Sequence, residues 1–212
     1  MYLEAKNITK VIDRVKVLDS ITLSMDKGKI YGLRGKNGSG KTMIMKAICG
    51  LIRVTEGEIW IDGEILGKKR DFPKSVGALI ENPGFVENYS GYANLKMLAD
   101  IKGLIGKAEI ETMMEKVGLD PKEKKKVKKY SLGMRQKLGI AAALMEHPEL
   151  IILDEPTNAL DEESVQVLHQ LLKEEKQRGA LLIIASHDGE ELERLCDEIY
   201  IVNAGKIKQK TE

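Results

Sequence analysis

The hydrophobic positions in the first third of this chain mostly alternate with polar ones. Alternating runs at 18–25 and 59–65 predict short, half-buried β-strands. A continuous apolar run at 29–33 predicts a buried strand, which leads through a glycine-rich loop into a helix over about 41–49. The first third is therefore predicted to combine an antiparallel β region with the beginning of an α/β core.

The middle third changes to helical spacing. Apolar residues recur at intervals of three and four from about 92 to 129, and Gly118 ends the second helix of this part. Six of the eight residues at 122–129 are lysines. We interpret them as a solvated connector, with contact to a membrane or nucleic acid as the alternative. Four methionines are interpreted as packing residues: Met97, Met113, Met114 and Met145.

The last third returns to an α/β pattern. Continuous apolar runs at 151–153 and 181–185 predict strands that are covered on both faces. A helix over about 161–178 lies between them and gives a strand–helix–strand crossover. A final apolar stretch at 199–202 precedes a short polar tail. The whole pattern predicts one α/β domain with a helical insert.

Composition narrows the class of protein. The chain has 212 residues, of which 42% are hydrophobic and only 4% aromatic, so its core is predicted to be mainly aliphatic. The net charge of +1 gives no reason to expect nucleic acid as a partner. Cys49 and Cys196 are interpreted as reduced, buried thiols. No stretch reaches the ~18 apolar residues that span a bilayer, so work at a membrane requires another chain.

Residues 35–42 match the pattern G-x-x-x-x-G-K-[ST] and stand between a predicted strand and a predicted helix. In this setting glycines allow backbone N–H groups to cradle phosphates, Lys41 supplies a positive charge, and the Thr42 hydroxyl can bind Mg²⁺. A chance glycine-rich turn is the alternative. The sequence predicts a nucleoside triphosphate site formed by these residues: Gly35, Asn37, Gly38, Ser39, Gly40, Lys41, Thr42 and Met43.

Two adjacent acids end the apolar strand near residue 153. Asp154 is suited to hold Mg²⁺ through water, and Glu155 is suited to orient or deprotonate an attacking water. Surface acids at a strand end are the alternative interpretation. Together with the phosphate-binding loop, the pair predicts hydrolysis of the bound nucleotide.

Three further motifs carry a family resemblance. Residues 130–136 (Tyr-Ser-Leu-Gly-Met-Arg-Gln) resemble the signature motif of the ABC (ATP-binding cassette) transporters, 156–161 resemble the D-loop, and His187 matches the switch histidine. The chain thus resembles the nucleotide-binding subunit of an ABC transporter over essentially its whole length. This implies a P-loop NTPase fold, with a RecA-like mixed-sheet core, an N-terminal antiparallel β subdomain and a helical signature subdomain.

The resemblance also implies domain limits, partners and location. It places the catalytic core at about 1–85 and 146–212 and the helical subdomain at about 86–145. It implies ATP and Mg²⁺ as cofactors and an ATP-dependent dimer, either a homodimer or a heterodimer with a related ATPase subunit. It further implies a separate transmembrane permease as partner, no nucleic acid, and a position on the cytoplasmic face of the membrane.

Site roles follow from the same resemblance. Ser131 and Gly133 would contact the γ-phosphate bound to the opposite subunit, and Asp161 of the D-loop would belong to the nucleotide-binding residues. His187 would sense the γ-phosphate, although a core or surface histidine is the alternative. Asp161 could also simply cap the following helix.

The chain departs from the family pattern at several positions. Ile12 stands where an adenine-stacking aromatic is usual, so weaker ATP affinity and loose base selectivity are expected unless Tyr2 folds in. Glu81 replaces the usual glutamine and is expected to contact Mg²⁺ while its loop contacts the permease. Leu132 and Met134 replace the usual glycine and glutamine of the signature, with function expected to survive.

Glu81 and its surroundings are similar to the ABC subunits of lantibiotic and related peptide-antibiotic exporters and immunity systems. This similarity implies an antimicrobial peptide as cargo. Two other classes remain as alternatives: a non-transport ABC ATPase acting on DNA or ribosomes, and a P-loop kinase or GTPase. The hypothesis of a kinase or GTPase does not explain the motif at 130–136.

Overall fold

A computed structural model describes residues 1–210 as ten β-strands and six α-helices. The strands are β1 Leu3–Ile12, β2 Val15–Met25, β3 Lys29–Arg34, β4 Glu56–Ile61, β5 Glu64–Ile65, β6 Val76–Leu79, β7 Leu150–Asp154, β8 Leu181–Ser186, β9 Glu198–Asn203 and β10 Lys206–Gln209. The helices are α1 Lys41–Ile48, α2 Gly91–Lys102, α3 Lys107–Lys116, α4 Leu132–Leu144, α5 Glu162–Gln177 and α6 Gly189–Leu195. A short 3₁₀ helix covers Val127–Lys129.

The alternating runs of the first third form a four-stranded antiparallel sheet in the order β2-β1-β4-β5. Ala5 of β1 pairs with Leu23 on one side and with Ile59 on the other. All three side chains are buried, because alternate residues of each strand face the core. The predicted antiparallel β region is therefore present.

The second sheet has six strands in the order β10-β9-β3-β8-β7-β6, and only β10 runs antiparallel to its neighbour. The parallel pairing aligns the carboxyl ends of β3, β7 and β8. The loops that begin at Gly35, Glu155 and His187 therefore meet at one edge of the sheet. This is the edge at which open α/β sheets bind ligands.

Both faces of this sheet are buried. In β7, Ile151 and Leu153 belong to one hydrophobic core, whereas Leu150 and Ile152 belong to the other. The first core includes side chains of α2 to α6, and the second includes the antiparallel sheet and α1. Burial of β7 on both faces explains the continuous apolar run at 151–153, as predicted.

The predicted helical insert corresponds to α2, α3 and α4, which lie between β6 and β7 in the chain. The exact limits of a separate helical subdomain, 86–145, stay a prediction. Three of the four methionines interpreted as packing residues are buried, but Met97 is 40% exposed, so that interpretation was wrong for Met97. Its position in α2 faces an open groove that is described below.

The end of the chain is more ordered than its polar sequence predicts. Lys206–Gln209 form β10, which pairs with β9, and residues 211–212 of the predicted tail lie outside the described residues. The turn before β10 contacts two distant segments. The Gly205 N–H donates to the Ser39 carbonyl at 2.8 Å, and the Gly205 carbonyl accepts from the Asp19 N–H at 2.9 Å. No helix in the described range has the length and apolar character needed to cross a membrane.

Candidate active site

The phosphate-binding loop joins β3 to α1 in a conformation that requires glycine. Gly40, immediately before α1, has a φ of 113°, which L side chains rarely adopt. Within residues 1–210, no side chain caps the N-terminus of α1, and the buried Ser39 hydroxyl has no hydrogen-bond partner. Uncapped N–H groups and the positive end of the helix dipole are the elements of an anion site.

Lys41 is the first residue of α1, directly after this loop, and its side chain is only 5% exposed. Its Nζ atom donates to the Gly35 carbonyl at 2.6 Å and to the Lys36 carbonyl at 3.4 Å. The same Nζ lies 3.6 Å from Oε1 of Glu155. A buried ammonium group is thus held at the loop by carbonyls and one carboxylate, where a phosphate oxygen could replace them as its partner.

Thr42 and Asp154 bring two oxygen atoms together across the site. The Thr42 hydroxyl donates to Oδ2 of Asp154 at 2.7 Å. Burial raises the pKa of Asp154 above its usual range, and the negative charges of Glu155 and Glu81 add to that increase. A divalent cation would relieve this accumulation of negative charge, and hard oxygen donors of this kind are those that Mg²⁺ prefers. The donor set therefore fits the metal.

Glu155 and His187 face each other at the carboxyl ends of β7 and β8. Nδ1 of His187 lies 2.8 Å from Oε2 of Glu155. The Glu155 carboxylate is 17% exposed and the His187 ring is 61% exposed, so the pair lies where the site opens to solvent. Glu155 has a φ of 48°, and its N–H donates to the Ala185 carbonyl, which fixes its backbone against β8.

Glu81 follows β6 with a φ of 57°, and its side chain is 60% exposed. Its Oε1 atom pairs with Nζ of Lys46, a residue of α1, at 2.7 Å. The carboxylate is therefore tied to the helix that follows the phosphate-binding loop. Sequence reasoning did not identify Lys46, because nothing in a single sequence links it to a residue on another element.

A cleft of about 520 Å³ surrounds the loop, and we call it the P-loop cleft. It is lined by the loop, by Asp154 and Glu155, and by aliphatic residues that include Val15 and Val17. The described lining contains no aromatic residue. Tyr2 lies elsewhere, since its hydroxyl donates to Glu149 and its side chain is buried. Tyr2 therefore does not replace the aromatic that is missing at Ile12.

The signature motif lines a second cleft of about 780 Å³, the signature cleft. Ser131 caps α4 by accepting a hydrogen bond from the Met134 N–H at 3.2 Å. A Cβ atom at Gly133 would lie 2.7 Å from the Ala159 carbonyl oxygen, so only glycine fits beside that segment.

Asp161 also lines the signature cleft, and it caps α5 by accepting from the Ser164 N–H at 2.9 Å. Capping was the alternative interpretation of this residue. Within the described chain the two clefts share no lining residue. The structure therefore brings most of the predicted site residues together at the P-loop cleft but leaves Ser131, Gly133 and Asp161 on another surface.

Gln136 of the signature motif contacts the backbone next to the P-loop cleft. Its Nε2 atom donates to the Pro156 carbonyl at 2.9 Å and to the Glu155 carbonyl at 3.2 Å. Helix α4 is thereby attached to the backbone of the paired acids. The sequence placed Gln136 inside the signature motif, but the spacing of that motif gave no indication of this contact.

An apolar groove of about 380 Å³ lies between the segment after β6 and helix α2. Phe85 and Val86 form one side, and Leu98 and Ile101 of α2 form the other. Ile101 is 78% exposed, and Val86 and Leu98 are 47% and 40% exposed. The sequence predicted that the loop of Glu81 contacts the permease, and the residues directly after Glu81 line this groove.

The fold and the P-loop cleft define a P-loop nucleoside triphosphatase. A protein-family model described as ABC transporter matches residues 18–158. The chain belongs to the ABC transporter family. It is the ATP-binding and ATP-hydrolysing subunit of such a transporter.

Three curated relatives are similar over nearly the whole chain. The uncharacterized ABC transporter ATP-binding protein YybJ of Bacillus subtilis (strain 168) is 47% identical over 97% of this chain and 94% of its own length. The bacitracin transport ATP-binding protein BcrA of Enterococcus faecalis is 40% identical over 98% of this chain and 68% of its own. The lantibiotic transport ATP-binding protein SrtF of Streptococcus pyogenes is 39% identical, with coverages of 97% and 88%.

Solved structures have the same fold. An ATP binding subunit of an ABC transporter superposes with a TM-score of 0.90 at 28% identity, covering 100% of this chain and 90% of that one. The dimeric bacterial ABC transporter cassette MJ0796 gives a TM-score of 0.87 at 22% identity, with coverages of 99% and 98%. These similarities confirm the predicted fold class.

Proposed function

We propose that two copies of this subunit, or one copy and a related subunit, close over ATP and drive a separate membrane permease. The observation that carries this proposal is the separation of the two clefts. Ser131 and Gly133 offer a hydroxyl and a helix N-terminus of the kind that binds phosphate, yet they lie outside the P-loop cleft of their own chain. A two-fold dimer places the signature cleft of each subunit against the P-loop cleft of the other.

The residues of the P-loop cleft divide the chemistry of hydrolysis between them. The loop and Lys41 hold the β- and γ-phosphates, and Glu155 orients and deprotonates the attacking water. His187 and Lys41 stabilise charge that develops on the γ-phosphoryl group. Thr42 and Asp154 would hold Mg²⁺, which would supply positive charge against the phosphates.

Glu81 supplies a link between the site and the permease in this proposal. Its carboxylate pairs with Lys46 of α1, the helix that carries Lys41 and Thr42 in its first turn. The segment that follows Glu81 forms one side of the apolar groove. A helix of the permease that seats in this groove would sense movement of Glu81.

The cargo proposed is an antimicrobial peptide moved outward across the cell membrane. Two of the relatives are named for bacitracin and lantibiotic transport, and Glu81 is the residue that carried the similarity to such exporters. The subunit would then lie on the cytoplasmic face of the membrane, attached through its permease. The transporter names of the relatives do not favour the alternative of a non-transport ATPase acting on DNA or ribosomes.

A tagged copy of the subunit, purified from gently solubilised native membranes, tests this function. Mass spectrometry is expected to identify a polytopic membrane protein at near-equal stoichiometry. The variant Ile101→Asp places a charge in the apolar groove and is expected to lower recovery of that protein. Recovery of the tagged chain only in the soluble fraction, with ribosomal or DNA-associated proteins, would overturn the transporter function.

A further inference from the structure

A buried carboxylate outside the described site connects two of its loops. Glu191 lies in α6, and its side chain is 11% exposed. Its Oε2 atom accepts hydrogen bonds from the Ser186 hydroxyl at 3.1 Å and from the Thr157 hydroxyl at 3.2 Å. One carboxylate oxygen therefore holds together segments that are distant in the sequence.

Each of these segments leads to residues of the proposed mechanism. Ser186 directly precedes His187, whose ring contacts Glu155. Thr157 begins the segment that ends at Asp161 in the signature cleft. A displacement of Glu191 would thus be transmitted to both clefts.

The directions of the hydrogen bonds make this arrangement specific. The Asp188 N–H donates to the Ser186 hydroxyl oxygen at 3.0 Å, so the hydroxyl hydrogen remains available for Glu191. The Thr157 hydroxyl likewise uses its hydrogen for the carboxylate. Two hydroxyl donors converge on one acceptor, and an ionised carboxylate accepts both.

The second carboxylate oxygen of Glu191 faces His169 of α5. Oε1 of Glu191 and Nε2 of His169 are 3.6 Å apart, and both atoms are buried without a hydrogen-bond partner in the described part of the chain. A buried polar atom that lacks a partner costs stability. The carboxylate at this position is therefore not explained by its contribution to the stability of the fold alone.

We propose that Glu191 is a positioning residue for ATP hydrolysis. By binding Thr157 and Ser186 with one oxygen, it sets segment 157–161, which belongs to the D-loop, relative to His187. This inference rests on the proposed function, in which segment 157–161 of one subunit contacts the site of the other. Loss of the carboxylate would therefore slow turnover without removing ATP from the P-loop cleft.

The main test compares Glu191→Ala with Glu191→Gln and with the control Glu190→Ala. Glu190 is the adjacent residue of α6, is 83% exposed and pairs with Arg194. Glu191→Ala is expected to lower kcat about tenfold while the ATP Kd and the KM stay near the wild-type values. Glu191→Gln keeps an oxygen that accepts both hydroxyls, so it is expected to retain most of kcat, and Glu190→Ala to retain all of it.

A second pair of variants covers the case in which Glu191→Ala does not fold. Thr157→Val and Ser186→Ala each remove one donor to the carboxylate and leave it in place. Each is expected to lower kcat several-fold with an unchanged ATP Kd. Thermal unfolding of every variant separates slower turnover from a smaller folded fraction.

The outcomes distinguish this inference from the proposed function. Wild-type kcat in folded Glu191→Ala, or in both hydroxyl variants, overturns the inference. Equal loss of turnover in Glu191→Ala and Glu191→Gln also overturns it, since the accepting oxygen would then be irrelevant. ATP-dependent dimerisation of Glu155→Gln is measured separately, and its failure contradicts the proposed dimer even where Glu191 behaves as expected.

Discussion

The imidazole of His187 lies within hydrogen-bond distance of the Glu155 carboxylate, at 2.8 Å. Because this contact orients the proposed base, Glu155→Gln is expected to preserve the geometry while removing the proton acceptor. Turnover should fall about 10²- to 10⁴-fold, and ATP should remain bound. Light scattering in saturating ATP and Mg²⁺ is expected to show a stable dimer.

Glu115→Gln is the matched control for this variant, because Glu115 is an exposed residue of α3. It should hydrolyse ATP at the wild-type rate. A Glu155→Gln protein that stays monomeric in saturating ATP and Mg²⁺ would mean either that a missing second subunit is required or that the dimer is wrong.

Base recognition provides a second prediction. Val15 and Val17 line the P-loop cleft, and Ile12 is 41% exposed where an aromatic is usual. Because aliphatic side chains distinguish purines poorly, ATP and GTP are expected to bind with similar Kd values. Ile12→Tyr should lower the ATP Kd about tenfold, since stacking on a base contributes about 1–3 kcal/mol.

Calorimetric titration of the purified subunit with each nucleotide checks this expectation. Ile12→Leu serves as the control, since it changes the side-chain shape without adding an aromatic ring. If the wild-type protein binds GTP far more weakly than ATP, residues other than these aliphatic side chains must distinguish the two bases.

The close approach of Gly133 to Ala159 gives a third prediction. A methyl group at Gly133 would lie 2.7 Å from the Ala159 carbonyl oxygen, so Gly133→Ala must displace segment 157–161. Turnover is expected to fall about 100-fold, as when a catalytic segment moves by about 1 Å, with little change in ATP Kd.

Gly106→Ala is the control, because a Cβ there meets only the flexible end of Glu109 at 3.4 Å. Steady-state hydrolysis assays of both variants are sufficient. Full activity of Gly133→Ala would indicate that segment 157–161 does not need its present position.

The ion pair between Glu81 and Lys46 leads to a fourth prediction. Glu81→Gln removes a negative charge that raises the pKa of Asp154, and it weakens the attachment to α1. Both ATPase activity and transport are expected to fall in the assembled transporter, with transport falling further. Lys46→Met breaks the same ion pair but keeps the carboxylate.

Comparison of the two variants separates the functions of the charge and of the ion pair. If Glu81→Gln leaves hydrolysis and transport unchanged, the carboxylate has no part in coupling. If Lys46→Met lowers both as far as Glu81→Gln does, the ion pair rather than the metal contact explains the requirement for Glu81.

The sequence predicted most of the fold because its patterns have local causes. Strands covered on both faces appear as apolar runs at 151–153 and 181–185, and the phosphate-binding loop is recognisable from its glycines. By contrast, β10 is a polar edge strand whose pairing with β9 supplies the order that its own composition does not indicate. Met97 was misassigned because helical spacing predicts a face but not whether another element covers it.

The sequence predicted the residues of the site only where they belong to a recognisable motif. Lys41, Thr42 and Asp154 follow from motifs, and the structure brings all three together. The contacts of Lys46 and Glu191 depend on tertiary packing between elements far apart in the chain, and a single sequence without an alignment contains no signal for them.

The separation of the P-loop cleft from the signature cleft also determines how hydrolysis depends on protein concentration. In the proposed dimer neither subunit has a complete site, so at concentrations below the dimerisation Kd the rate is second order in subunit. Dilution would then reduce the activity per molecule as well as the total. A permease that holds two copies side by side raises their effective concentration and makes the reaction first order.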